Sequence, residues 1–213
     1  IRNITVSSPT REQIVSMWKK LGLDRPVQSS YDQMPSVTAP YAAGTLSTNV
    51  QTEALNAVNF MRYIAGIDYN VTLNDNYIQY SQDAALTMAI NRKMTHYPDK
   101  PAGMDDALYA SAKKGAGEGN IAMGYSTMQD VIINGWMADS DENNIEEVGH
   151  RRWILNPKMG QTGFGRVDRY SAMYSVDRKN TSATYEGVVW PAQNMPMEYF
   201  DSDYSWSISF DKA

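Results

Sequence analysis

The 213-residue chain contains no cysteine, which excludes a disulfide scaffold and any thiolate metal site. It has two histidines, His96 and His150, so imidazole chemistry is confined to those positions. No apolar run approaches the roughly 20 residues needed to span a bilayer. Basic residues are not in excess. Nineteen Lys and Arg against 24 Asp and Glu leave a net charge of −5, so no basic surface is available to release counterions from nucleic-acid phosphates. His-Glu-x-x-His and Gly-x-Ser-x-Gly are both missing, and with them the zinc-protease helix and the nucleophile elbow. The first residue is Ile rather than Met, which fits a processed chain with a removed secretion signal.

What remains is an ordinary globular composition, 42% hydrophobic and 20% charged, long enough to bury a real core. Fourteen Tyr and five Trp against four Phe point to amphipathic surfaces or sugar-like ligands. Residues 1–50 read as an N-terminal helix and extended flank packed on the domain. Thr10 and Gln13 supply a helix start, Ile14, Met17, Trp18 and Leu21 repeat at helical spacing, and Gly22 ends the run. Pro26, Pro35 and Pro40 then predict extended chain without regular structure.

Residues 51–213 read as the domain proper. Ala54, Val58, Met61 and Ala65 form one helical stripe. A second helix starts from the cap-type residues Leu73-Asn74-Asp75-Asn76 and reaches about Lys93. Gly115–Gly124 is too glycine-rich for a helix and predicts a short strand entered through a flexible loop. Met128, Val131, Ile132 and Trp136 make a third stripe after the cap at Ser126-Thr127-Met128-Gln129. An acidic connection covers Asp139 to Glu147. Strands follow at 163–167, 172–176 and 187–190, and a last one carries Trp206, Ile208 and Phe210. Helices followed by a meander of strands predict an α+β domain with an antiparallel sheet. The sequons at Asn3, Asn70 and Asn180 match a pattern that is common by chance.

Three stretches bear the chemistry: Thr95-His96-Tyr97-Pro98, Gly117-Glu118-Gly119-Asn120-Ile121-Ala122 and Gly149-His150-Arg151. Two histidines with nearby carboxylates either hold a metal with an open position or share protons. Arg151 is a candidate carboxylate clamp. Trp153, Ile154 and Leu155 read as buried anchors, and Tyr97 as a residue bordering the site.

These stretches, in this order and with Trp136 between the second and third, resemble the signature of the CAP superfamily: the cysteine-rich secretory, antigen 5 and pathogenesis-related 1 proteins. The likeness is to the bacterial secreted branch and covers roughly Thr52 to Val176. It implies an α-β-α sandwich with a central antiparallel sheet flanked by helices and a cleft lined by two His and two acids. His96 and His150 take the family histidines, and Glu118 takes the Glu of the Gly-Glu-Asn motif, with Gly119 as an insertion. The second acid falls to Asp139 or Glu147. The resemblance implies a secreted, extracellular or cell-wall-associated binding module. Its cleft would hold a divalent metal such as zinc through His96 and His150, with an extracellular ligand or cell-wall component as partner. The alternative is a metal-dependent hydrolase of peptide or wall substrates, with Glu118 as general base.

Overall fold

The computed structural model describes residues 8–142, 144–183 and 185–210; the sequon at Asn3 and residue Asn143 of the acidic segment lie outside the described residues. Helices begin where the sequence supplies caps. Thr10 and Gln13 close a reciprocal capping box at α1 (Arg11–Lys20). Extended chain follows, and β1 (Tyr31–Gln33) pairs antiparallel with β2 (Thr45–Leu46). This pair is regular structure within the stretch where prolines were expected to forbid it. Pro26, Pro35 and Pro40 all fall outside the paired segments, so the ladder loses no N–H.

Ser47 caps α2 (Thr48–Ile64); β3 (Thr72–Leu73) follows, and Asn74 caps α3 (Asp75–Asn91). Asp105 caps α4 (Asp106–Gly117), a helix missing from the sequence expectation, and β4 (Gly119–Met123) comes directly after it. The glycines misled that reading because one of them serves packing. A Cβ on Gly115 would lie 1.9 Å from the Tyr80 carbonyl oxygen of α3, so glycine is what lets the two helices touch. Thr127 caps α5 (Met128–Asp130), which runs into a π-helix over Val131–Met137. The chain continues through α6 (Gly149–Ile154), β5 (Gln161–Thr162), β6 (Phe164–Val167), β7 (Tyr170–Tyr174), β8 (Val188–Trp190) and β9 (Ser207–Ser209). The strand expected at 172–176 starts two residues earlier, because a tight turn with Asp168 in the left-handed region returns the chain at once.

The central sheet is antiparallel in the order β4-β7-β6, with two smaller pairs outside it: parallel β3-β5 and antiparallel β8-β9. Strand alternation builds the two outer layers. Ile121 and Ala172 face a core shared with α3 and α4, whereas Ala122 and Met173 face one shared with α2 and the π-helix. This is the α+β domain that the element pattern predicted, in the α-β-α sandwich that the resemblance implied. No helix among the described residues is long and apolar enough to cross a membrane.

Two buried charges on α2 fasten the periphery. The Arg62 guanidinium donates to the carbonyls of Ile154 and Asn156 at 2.8 Å each and to that of Asp68 at 2.7 Å, holding the end of α6. Burial lowers its pKa to about 10, which leaves it charged at neutral pH. Glu53 accepts the Val27 N–H and so ties the extended flank to α2, while its other oxygen is buried without a partner.

Candidate functional site

A cleft of about 760 Å³ opens at the ends of β4, α4 and the π-helix, and it contains both histidines. α3 ends at Arg92 in the left-handed conformation, and His96 follows on the exposed loop beyond it. Its Nδ1–H donates to the Ala116 carbonyl at 2.7 Å, which anchors the ring to the end of α4 and leaves Nε2 as the free ring nitrogen. Across the cleft, His150 is the second residue of α6 and is half-buried.

Three atoms crowd together beneath His150. Its Nδ1 lies 2.8 Å from Asp139 Oδ1 and 2.8 Å from Asn144 Nδ2, and Asn144 Nδ2 also contacts Asp139 Oδ1. The Gly149 N–H donates to Asn144 Oδ1 at 3.2 Å, which orients the amide so that its NH2 faces the other two groups. The carboxylate oxygen is then the one pure acceptor of the three, so both nitrogens point their hydrogens at it. His150 therefore carries its proton on Nδ1, and Nε2 presents a lone pair. Asp139 Oδ2 accepts the Arg151 backbone N–H at 3.1 Å, so both carboxylate oxygens are spent on the protein. Asp139 is 2% exposed. It and Val148 both have positive φ, 50° and 43°, and they bracket the loop bearing Asn144. For the β-branched Val148 this conformation is costly, and such strain concentrates at functional sites.

The profile of the cysteine-rich secretory protein family, CAP, matches residues 55–185, more than half of the chain and both histidines. The chain belongs to the CAP family. No curated protein and no solved structure gives a match.

Within this CAP domain the expected acids separate. Asp139 lines the cleft under His150, whereas Glu118 and Glu147 do not line it. Glu147 is exposed and pairs with Arg152 at 3.4 Å. Glu118 caps the end of α4; its carboxylate accepts from the Tyr174 hydroxyl and lies 3.5 Å from Lys114 Nζ. Burial first, and then the Glu118 charge, hold the Tyr174 phenol well above its ordinary pKa. The expectation that Glu118 stands between the histidines is therefore corrected, and Gly119 is the reason. A Cβ there would lie 2.5 Å from Gly115 O and 2.6 Å from Met173 O, so only glycine passes between helix end and β7, and Glu118 is left on the Tyr174 side.

Arg151 also departs from expectation. It is fully buried and donates to the carbonyls of Met137 (2.8 Å), Ala138 (2.7 Å) and Ser205 (2.6 Å), so it clamps backbone rather than a ligand. Burial lowers its pKa to about 10, with Asp139 acting in the opposite direction. Ile154 and Leu155 are buried as anchors, but Trp153 is half-buried and forms part of the cleft wall, with the Arg178 guanidinium 5.5 Å from its ring centroid. Tyr97 borders the cleft at 87% exposure. Sequence reasoning missed Asn120 and Asn144. Asn120 donates to the His150 carbonyl at 3.0 Å, so the Gly-Glu-Gly-Asn motif reaches the histidine through its asparagine. The motif itself was the available signal.

Among the described residues, no three His, Asp or Glu side chains converge closely enough to hold a metal ion. The free donors are the two imidazole Nε2 atoms, since both Asp139 oxygens are committed. Two nitrogens fall short of a closed structural centre, so a cation there would have to complete its shell from water or ligand.

Proposed function

We propose that this CAP domain works outside the cell as a binding module, with a cell-wall component or another extracellular molecule as partner. The cleft between His96 and His150 is its ligand site, and a divalent cation such as zinc is the species it holds. One observation carries this reading: each histidine spends Nδ1 on the protein, leaving two Nε2 lone pairs on one cleft. A bound ion would supply positive charge to an oxygen of the ligand. Asp139 and Asn144 would hold the His150 ring, Ala116 the His96 ring, and Trp136 and Trp153 would give the ligand apolar walls.

The test is a thermal melt of chelator-stripped protein with added zinc. A rise in Tm for the parent, absent in His96→Ala and His150→Ala, is the expected result. No rise in the parent would discard the cation.

A hydrolytic reading is favoured by the buried Asp139 carboxylate behind His150, which suits Nε2 to take a proton from water. His150 then replaces Glu118 as the base. Turnover of peptide or wall fragments that survives chelation and is lost in His150→Gln would support it; its loss on chelation would return the role to the cation.

A further inference from the structure

A second groove, of about 440 Å³, lies where α1, the start of the π-helix and the 198–199 segment meet, and it shares no lining residue with the histidine cleft. Trp18 and Tyr199 form one wall, with ring centroids 5.5 Å apart. Both rings pack on buried Phe60, at 5.1 and 6.1 Å, so the wall is rigid.

The charged groups around it are acidic, and several of its polar side chains are engaged with one another. Asn134 Nδ2 donates to Asp130 Oδ1 at 2.8 Å. The Ser126 hydroxyl donates to Asp130 Oδ2 at 2.9 Å. Gln129, 8% exposed, donates from Nε2 to the Leu23 carbonyl at 3.1 Å, while its Oε1 is buried with no partner. Glu198 is exposed on the rim, and none of the described side chains pairs with it. The groove has no lysine or arginine among its lining residues.

Two aromatic rings beside a rim carboxylate, in a groove with no lysine or arginine in its lining, match one ligand chemistry: a compact organic cation. We propose that this groove is a docking site for the basic side chain, ammonium or guanidinium, of a peptide partner. The cation lies against Trp18 and Tyr199, and Glu198 supplies the counter-charge. The charge complementarity names the occupant: Asp130 and Glu198 line the groove with no lysine or arginine beside them, which attracts a cation and repels an anion.

The test titrates the tripeptide Gly-Lys-Gly, and Gly-Arg-Gly beside it, into ¹⁵N-labelled protein. The expected result is a shift of the Trp18 indole N–H and of the Asn134 and Gln129 side-chain amides. Apparent affinity should fall roughly fivefold in Glu198→Gln, the worth of one exposed ion pair, and it should fall again in high salt. Glu198 is exposed, so this variant keeps the fold; Trp18→Leu, checked by circular dichroism, removes the π-face independently. The proposal is overturned if neither peptide shifts these signals, if the Nε-acetylated lysine peptide shifts them equally, or if Glu198→Gln binds as the parent does. Binding of n-butylammonium as tightly as the peptides would overturn the peptide partner. Failure of any of these leaves the histidine cleft untouched, because zinc melts do not report on this groove.

Discussion

Asp139 holds the His150 ring through Oδ1 at 2.8 Å and the backbone N–H of the next residue, Arg151, through Oδ2 at 3.1 Å. One buried carboxylate thus sets both the rotation of the imidazole and the start of the helix that carries it. The pair behaves as a unit in which ring orientation and proton position are decided together.

Replacing Asp139 by Asn removes the charge that keeps a proton on Nδ1. Zinc affinity should fall roughly 10- to 100-fold by calorimetry, as for other groups that orient metal-binding histidines. The ¹⁵N shifts of the His150 ring should show the proton moving toward Nε2. Unchanged affinity would remove Asp139 from the site.

Asn144→Ala should have a smaller effect of a different kind. It deprives Asp139 of one donor and the Gly149 N–H of its acceptor, at about 1 kcal/mol of stability. The loop bracketed by Asp139 and Val148 should then exchange its amide hydrogens faster while the core does not, which mass spectrometry of exchanged peptides would resolve.

Glu118→Gln should leave cleft binding within roughly twofold of the parent, since the two positions have no shared partner. Its effect should appear at Tyr174, whose ionisation should move down without reaching the ordinary phenol value, because burial is the larger cause. Ultraviolet titration of the tyrosines measures this. A large loss of cleft binding would restore Glu118 to the site.

Glu53→Gln should stabilise the protein. Burial raises the Glu53 pKa, so the folded chain keeps this proton to higher pH than the unfolded chain does. The contribution is therefore favourable in acid and is lost as pH rises from the unfolded value through the raised one. Gln keeps an acceptor for the Val27 N–H and carries no charge. A gain of about 1 kcal/mol at pH 7 that vanishes in acid is expected from melts against pH.

The helical stripes were legible in the periodicity, whereas the layer architecture and the shared cleft of His96 and His150 were legible only through the order of motifs that resembles the CAP superfamily. The second acid was not. Glu147 lies three residues before His150 and Asp139 eleven, yet it is Asp139 that sits beneath the ring, on a left-handed backbone turn that no spacing announces. Glu118 was misplaced because a single glycine, chosen for its fit between Gly115 and Met173, rotates the motif. Helix α4 was hidden by the same residue type used for packing. Arg151 and Trp153 exchanged expected roles: the charged residue is sealed against backbone carbonyls and the indole lines the cleft. Amphipathic residues on a six-residue helix leave too little periodicity to tell one face from the other.

Helix α6 is too short to persist alone, since so few residues do not repay the cost of starting a helix. Arg62 welds its far end to α2 through the carbonyls of Ile154 and Asn156. Opening the segment bearing His150 must therefore break buried hydrogen bonds to α2. A molecule gripping that imidazole should therefore slow hydrogen exchange at the Arg62 end of α2, beyond the walls it touches.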